Sequence, residues 1–290
     1  MASIRQLKSR IRSVGNTKQI TRAMQMVAAS KMRRAQEAAK ASTAYARMAN
    51  EILTYLGGQE ITNEHAMYKV RHVKRRMLIV VSSDKGLAGA YNSNIMRRYM
   101  HELKSDDEVR IGNVTLAIGR KIGTFATRLK DTEVVGVYDS IETEEPYGRD
   151  LNAIVETAVT EFTEGNVDAV DVIYTKFHNS VNQTVETMRV LPAGYTYTEV
   201  SETIRTAEYE PSPEAVLDAV TYRLIESQIL QAVLDSLASE HSMRMVAMKN
   251  ATDNASDIAS DLTLEMNKAR QSAITQELAE ISGGVEAMKE

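Results

Sequence analysis

Cysteine is missing from this 290-residue chain, which excludes a disulfide framework, a zinc ribbon, an iron–sulfur site and a thiol nucleophile. That fits a reducing compartment. Tryptophan is missing too, and Phe with Tyr supply only 5% of residues, so long helices rich in Met and Ala suit the composition better than a large globular core. There are four prolines and none precedes Pro146, so the first half carries no proline break. No apolar run approaches the eighteen or so residues of a membrane span, and any membrane link must go through a partner. His65, His72, His101, His178 and His241 are scattered, with no H-E-x-x-H, no metal spacing and no Ser-His-Asp order. A hydrophobic content of 43% still suffices for a real core, which at this length suggests one domain plus something extended.

What is present is polarised. Residues 1–50 hold eleven Lys or Arg against the single acid Glu37, so this stretch carries +10 and the remainder −14. A basic block of this kind suits nucleic acid, anionic lipid or an acidic protein surface. The first fifteen residues are rich in Arg and Ser, as a transit peptide is, but the apolar stripe that begins at Ile4 runs unbroken into the chain.

That stripe defines the first long helix. Ile4, Leu7, Ile11, Val14, Lys18, Thr21, Gln25, Ala28, Met32 and Ala35, continuing to Leu53 and Leu56, follow a heptad spacing, with a polar break at 18–25 where Ile20, Met24 and Val27 are expected to take over the seam. Gly57 and Gly58 end it, giving about 80 Å of helix. A second helix opens with Ser212 as N-cap, Pro213 in the first turn and Glu214 at the positive end of the dipole. Its stripe runs from Leu217 through Leu234, His241 and Met248 to Ala273, and Gly283-Gly284 is the first interruption, after about 105 Å. Two heptad helices at opposite ends of one chain pair most simply antiparallel, and the −6 of residues 213–282 complements the basic first helix.

Between them the pattern changes to short apolar runs. Residues 76–84, 114–119, 134–138, 169–175 and 183–191 read as strands, and 93–103, 120–130 and 150–163 as helices. Such alternation predicts an open, mostly parallel α/β sheet. If the long helices start level at this insert, the second overhangs the first over roughly residues 266–282. An isolated helix of that length is marginal in water, so Met266, Ile274, Leu278 and Ile281 need a socket from another protein.

The stretch "SSDKGLAGAYN" (82–92) lies between strand and helix, where phosphates are cradled, yet it has neither dinucleotide nor Walker spacing. Tight strand-to-helix packing permitted by Gly86 and Gly89 is the simpler reading. No active site, cofactor site or metal site is assignable from the residues. Two alternatives remain open here: a coiled-coil adaptor whose basic arm binds nucleic acid or lipid, and a nucleotide-dependent enzyme built on the insert.

Three stretches, "IRSVGNTKQITRAMQMVAASKMRRAQ" (11–36), "SSDKGLAGAYN" (82–92) and the block 237–284 beginning "LASEHSMRMVAMKN", resemble the gamma subunits of F-type ATP synthases, and the likeness spans Met1 to Gly284. It implies an α/β fold: a long antiparallel coiled coil of the N- and C-terminal helices (1–57 and 212–284) plus a central Rossmann-like α/β domain (75–200), with a connector (201–211) and a tail (285–290). It implies a rotor shaft without a catalytic site, cofactor or metal of its own, standing in a hexamer of three alpha and three beta subunits. An epsilon subunit and a membrane c ring would meet its foot. Ion flow would turn ring and shaft, and the shaft would drive the beta sites through ATP synthesis or hydrolysis.

Nucleic acid would not be a partner, and the membrane would be met only through partners, at the cytoplasmic face of a bacterial cell. Positions matching the family's contacts to beta are Met24, Arg244, Arg270, Gln271, Thr275 and Glu277. Arg244 would pair with an acidic beta loop, and Tyr209 and Glu210 would lie against the c ring. Ala88 and Lys85 depart from the Cys and Arg of many relatives, and the regulatory dithiol insertion of chloroplast relatives is missing.

Overall fold

The computed structural model describes residues 3–57, 65–130, 132–141, 148–194, 198–207 and 209–287; for 42–47, 148–149 and 283–287 it describes the backbone alone. Gly58, the expected terminator of the first helix, and residues 288–290 of the tail lie outside the described residues. The fold is α/β: long N- and C-terminal helices that pair antiparallel, and a central Rossmann-like sheet. The residues divide into two compact units, one of Ala29–Arg244 and one of Met1–Ala28 with Met245–Glu290. Helix α1 (Ile4–Gly57) and helix α6 (Pro213–Ala287) contribute to both.

In the larger unit, β1 (Arg75–Val81), α2 (Tyr91–Glu108), β2 (Gly112–Ile118), α3 (Arg120–Ala126) and β3 (Glu133–Tyr138) are followed by α4 (Gly148–Thr163), β4 (Ala169–Phe177), β5 (Gln183–Leu191) and the short α5 (Glu202–Arg205). The sheet order is β3-β2-β1-β4-β5, parallel except for β5, which returns antiparallel beside β4. Alternation along the strands sends Leu78, Val80, Ala117 and Ile173 to the face covered by α2 and α3. Met77, Ile79, Leu116 and Val172 point the other way, onto α4 and onto Ile225, Ile229 and Val233 of α6. Three layers result, helices on both faces of the sheet.

Helix α2 exceeds its expected span at both ends. Two of its core-facing positions are the acids Glu102 and Asp106, which hid the apolar period. Their partner is Arg76 of β1, whose Nη1 donates to Glu102 Oε2 at 2.9 Å and to Asp106 Oδ2 at 3.1 Å. Its Nε donates to Asp171 of β4, which is 2% exposed and is also bound by Arg189 of β5. Arg98 adds 2.8 Å to Glu102, and Thr187 of β5 donates to it at 3.0 Å. One buried charge cluster thus joins three strands and a helix.

Helix α6 begins as its sequence dictates: the Ser212 hydroxyl accepts from the Ala215 amide at 3.2 Å, and Pro213 is the first helical residue. On its sheet-facing side Asp235 is pushed up to about 6, chiefly by burial, with Glu186 adding to the rise and Gln231, Lys176 and His178 opposing it. A carboxyl raised on folding contributes stability that is complete below its unfolded value near 3.8 and is lost as pH rises through about 6. Asp235→Asn is therefore expected to raise unfolding free energy by about 1–2 kcal/mol at pH 8, after allowance for partial exposure, with the gain vanishing toward pH 4. Urea unfolding at the two pH values measures this.

In the smaller unit, Lys18 Nζ donates to Ser256 Oγ at 2.8 Å and the hydroxyls of Thr21 and Thr252 meet at 2.8 Å. As numbers rise on α1 they fall on α6, so the pairing is antiparallel. The polar stretch therefore stays in the seam. Ile20 and Val27, expected to replace it, are 60% and 57% exposed, and Met24 is half-buried. Changing the stripe's phase would require an added stammer in a helix that has none, whereas the polar side chains find partners across the seam.

This register places Ile4 opposite about residue 270. Leu262, Met266, Ala269 and Ala273 accordingly remain half-buried, and the exposed run begins at Ile274 instead of 266. The helices do not start level, which displaces the overhang toward the C-terminus. Nor do Gly283 and Gly284 stop α6, which continues to Ala287. A helical glycine costs about 1 kcal/mol against alanine, but it ends a helix only where the chain turns left-handed.

Candidate functional site

A parallel sheet of this order offers a ligand crevice where its winding reverses, between the C-terminal ends of β1 and β4. Pairing of β1 with β4 stops at Val80 and Ile173, so the backbone of Thr175 needs other partners. Helix α6 supplies them: the Ser236 hydroxyl accepts from the Thr175 amide at 3.0 Å, and Ser239 donates to the Thr175 carbonyl at 3.2 Å. Asp84, in the loop after β1, accepts from the amides of Arg120 (2.9 Å) and Ser140 (3.2 Å). Helix α6 thus covers the C-terminal end of β4, and Asp84 ties the loop after β1 to the segments that follow β2 and β3. Among the described residues no three His, Asp or Glu side chains are grouped to hold a metal ion, and no helix is long and apolar enough to cross a membrane.

The loop itself differs from the simple packing expected of it. A Cβ on Gly86 would meet nothing within 4 Å, whereas one on Gly89 (φ +57°) would lie 3.8 Å from the Met243 carbonyl of α6. The strained position is Leu87, with φ 61° and a side chain that is 64% exposed. Spacing alone gave no sign of it.

At the end of α6, Ile274, Leu278 and Ile281 are 45%, 63% and 65% exposed. Arg270, Gln271 and Glu277 are exposed beside them, and Thr275 spends its hydroxyl on the Gln271 carbonyl at 3.0 Å. These four contact candidates share one stretch of helix in the smaller unit. Arg244 belongs to the larger unit and is 11% exposed at its side chain, bound within the chain. Tyr209 stacks on Tyr55 with centroids 5.8 Å apart and donates to the Ile204 carbonyl, while Glu210 is exposed. Ile20 and Val27, expected to take over the seam at its polar break, are surface apolar residues.

An α/β domain whose sheet is covered on one side by the long C-terminal helix, and an antiparallel helix pair with exposed apolar residues, define a coiled-coil subunit of a larger assembly. A family model described as ATP synthase matches residues 3–288. The "ATP synthase gamma chain" of Stenotrophomonas maltophilia (strain R551-3) is 40% identical over 99% of this chain and all of its own length. That of Macrococcus caseolyticus is 36% identical over the whole of both chains. Among solved structures, a chain of the Euglena gracilis mitochondrial ATP synthase (OSCP, F1 and c ring) shares the fold with a TM-score of 0.67 at 19% identity, covering 98% of this chain and 94% of that one. A chain of the Tetrahymena thermophila central stalk and c-ring structure gives 0.53 at 25% identity, covering 80% and 99%. The chain belongs to the ATP synthase gamma chain family.

Proposed function

We propose that this chain is the rotor shaft of a bacterial ATP synthase, a peripheral subunit at the cytoplasmic face of the cell membrane that couples ion flow through a c ring to ATP synthesis or hydrolysis. One observation carries the reading: the last turns of α6 hold Ile274, Leu278 and Ile281 out in solvent. Enclosing each would release about 1–2 kcal/mol of hydrophobic free energy, reduced from the full transfer value by their present partial burial. A collar of alpha and beta subunits is the socket that family membership suggests.

In this reading the shaft has no catalytic site and does its work by binding unequally. A shaft that met all three beta subunits alike would shift none of them, so Arg270, Gln271, Thr275 and Glu277, together with Met24 lower on the coil, act through contacts that change as the shaft turns. Tyr209 and Glu210, near the end of the connector, face the c ring, and an epsilon subunit shares the foot. Attachment to the membrane is through these partners.

Co-expression with alpha and beta subunits tests the reading. Expected is a complex of three alpha, three beta and one copy of this chain whose ATP hydrolysis turns the chain. A chain that ignores alpha and beta but binds DNA or anionic vesicles with steep salt dependence would instead be a basic-armed adaptor.

A further inference from the structure

Within the larger unit a cavity of about 450 Å³ opens between α1, α6 and the β4–β5 hairpin, on the face of the sheet that α6 covers. Ala39, Phe177 and Ala238 supply its apolar wall, and Gln36 and Asp235 its polar one. That size, with much apolar surface and a few polar groups, suits a small molecule. The rotor contacts proposed above make no use of it.

Asp235 is the group that stands out. It is half-buried, its Oδ1 accepts from Gln231 Nε2 at 3.2 Å, and among the described residues it has no ion-pair partner. The basic groups of β4 that act on it are engaged elsewhere: Lys176 Nζ lies 3.5 Å from Glu186, and His178 Nε2 meets the Thr184 hydroxyl at 2.8 Å. Lys40 of α1 stands exposed at the rim. Withdrawing a carboxylate from water without a counter-ion is unfavourable, which is why burial pushes its carboxyl up to about 6. A group whose retention lowers stability is characteristic of a binding site.

We propose that the cavity binds a small alkylguanidinium ion, its head against Asp235 and Gln36 and its hydrocarbon stem along Ala39, Phe177 and Ala238. An anion would meet the carboxylate, and a bare metal ion would need a group of ligands that the described residues do not provide. A planar, weakly hydrated guanidinium leaves water more readily than an ammonium and can lie on the Phe177 ring. Every residue of the site falls within Ala29–Arg244, and the binding does not depend on the rotor reading.

Agmatine is the probe, titrated into the full chain by calorimetry while amide shifts are followed by NMR. Expected at pH 7.5 is saturable single-site binding, with shifts gathered at 36–40, 177–180 and 231–238. Affinity should fall about tenfold at pH 5, because the Asp235 carboxyl, raised to about 6, is then mostly protonated and offers no charge. His178 could also charge over this range and repel the ligand, and Lys40, Lys176 and Glu186 keep their charges. His178→Gln should therefore retain the pH dependence.

Asp235→Asn, a replacement expected to stabilise the fold, should abolish binding at both pH values. Lys40→Ala should tighten it about two- to threefold by removing a like charge from the rim. Butylamine, with the same stem and an ammonium head, should bind more weakly than agmatine. No saturable binding below about 10 mM at pH 7.5 would overturn the proposal. Undiminished binding by Asp235→Asn, or shifts confined to exposed acids elsewhere on the chain, would overturn it equally.

Discussion

Removal of residues 274–290 is expected to leave the stability of the remaining chain within about 0.5 kcal/mol of wild type while torque in the reconstituted complex falls several-fold. Both halves follow from one fact. Every residue from Ile274 to Ser282 is exposed, so the segment adds little to the stability of its own chain. What it holds is apolar surface at Ile274, Leu278 and Ile281, a liability in water unless something encloses it. Leu278→Ser with Ile281→Ser is the milder version: neutral in thermal unfolding of the free chain, harmful in the assembled complex. Single-molecule rotation of the reconstituted complex reads the torque, and full torque in the truncated form would remove residues 274–290 from the coupling path.

The largest effect on folding is expected at Arg76. Replacing it by Met should cost about 3–5 kcal/mol, because Glu102, Asp106 and Asp171 would be left facing one another inside the protein with a single flank of compensation from Arg98 and Arg189. Urea unfolding at pH 7 measures it, and a loss below about 1 kcal/mol would mean the cluster is solvated in solution. The pH dependence of this cluster is mixed. Burial opposes the charge on Glu102, yet Arg76, Thr187 and Arg98 outweigh it and hold the carboxyl below its ordinary value. Its contribution is present above about 4.5 and disappears as pH falls through the lower folded value. Asp106 moves the other way, because burial and the neighbouring Glu102 and Asp171 outweigh Arg76. Its contribution is complete below 3.8 and is lost as pH rises past its folded value.

The candidate site was legible in parts. Exposure of Ile274, Leu278 and Ile281 could be inferred because an apolar stripe that outlasts its partner is a counting problem. Where the exposure begins could not, because the count needs the stagger, and the stagger is fixed by Lys18 against Ser256 and Thr21 against Thr252. Arg244 shows the same limit in charge. Its spacing on α6 marks it as a cation on a helix, and only the arrival of the loop 82–90 turns it inward. Buried Glu102 and Asp106 broke the apolar period of α2 for a reason carried by another strand.

By itself the sequence determined the two long helices, the strands between them, the antiparallel sense and the kinship with gamma chains. Those are set by repeats of 3.6 and 2 residues and by contiguous motifs, which act between neighbours in the chain. The tertiary structure alone decided which polar residues occupy the seam, which apolar ones are left outside it, which charges are buried and which helix covers the C-terminal end of β4. Such choices depend on partners as distant in the chain as Thr21 and Thr252, 231 residues apart, and no local period encodes the register that brings them together.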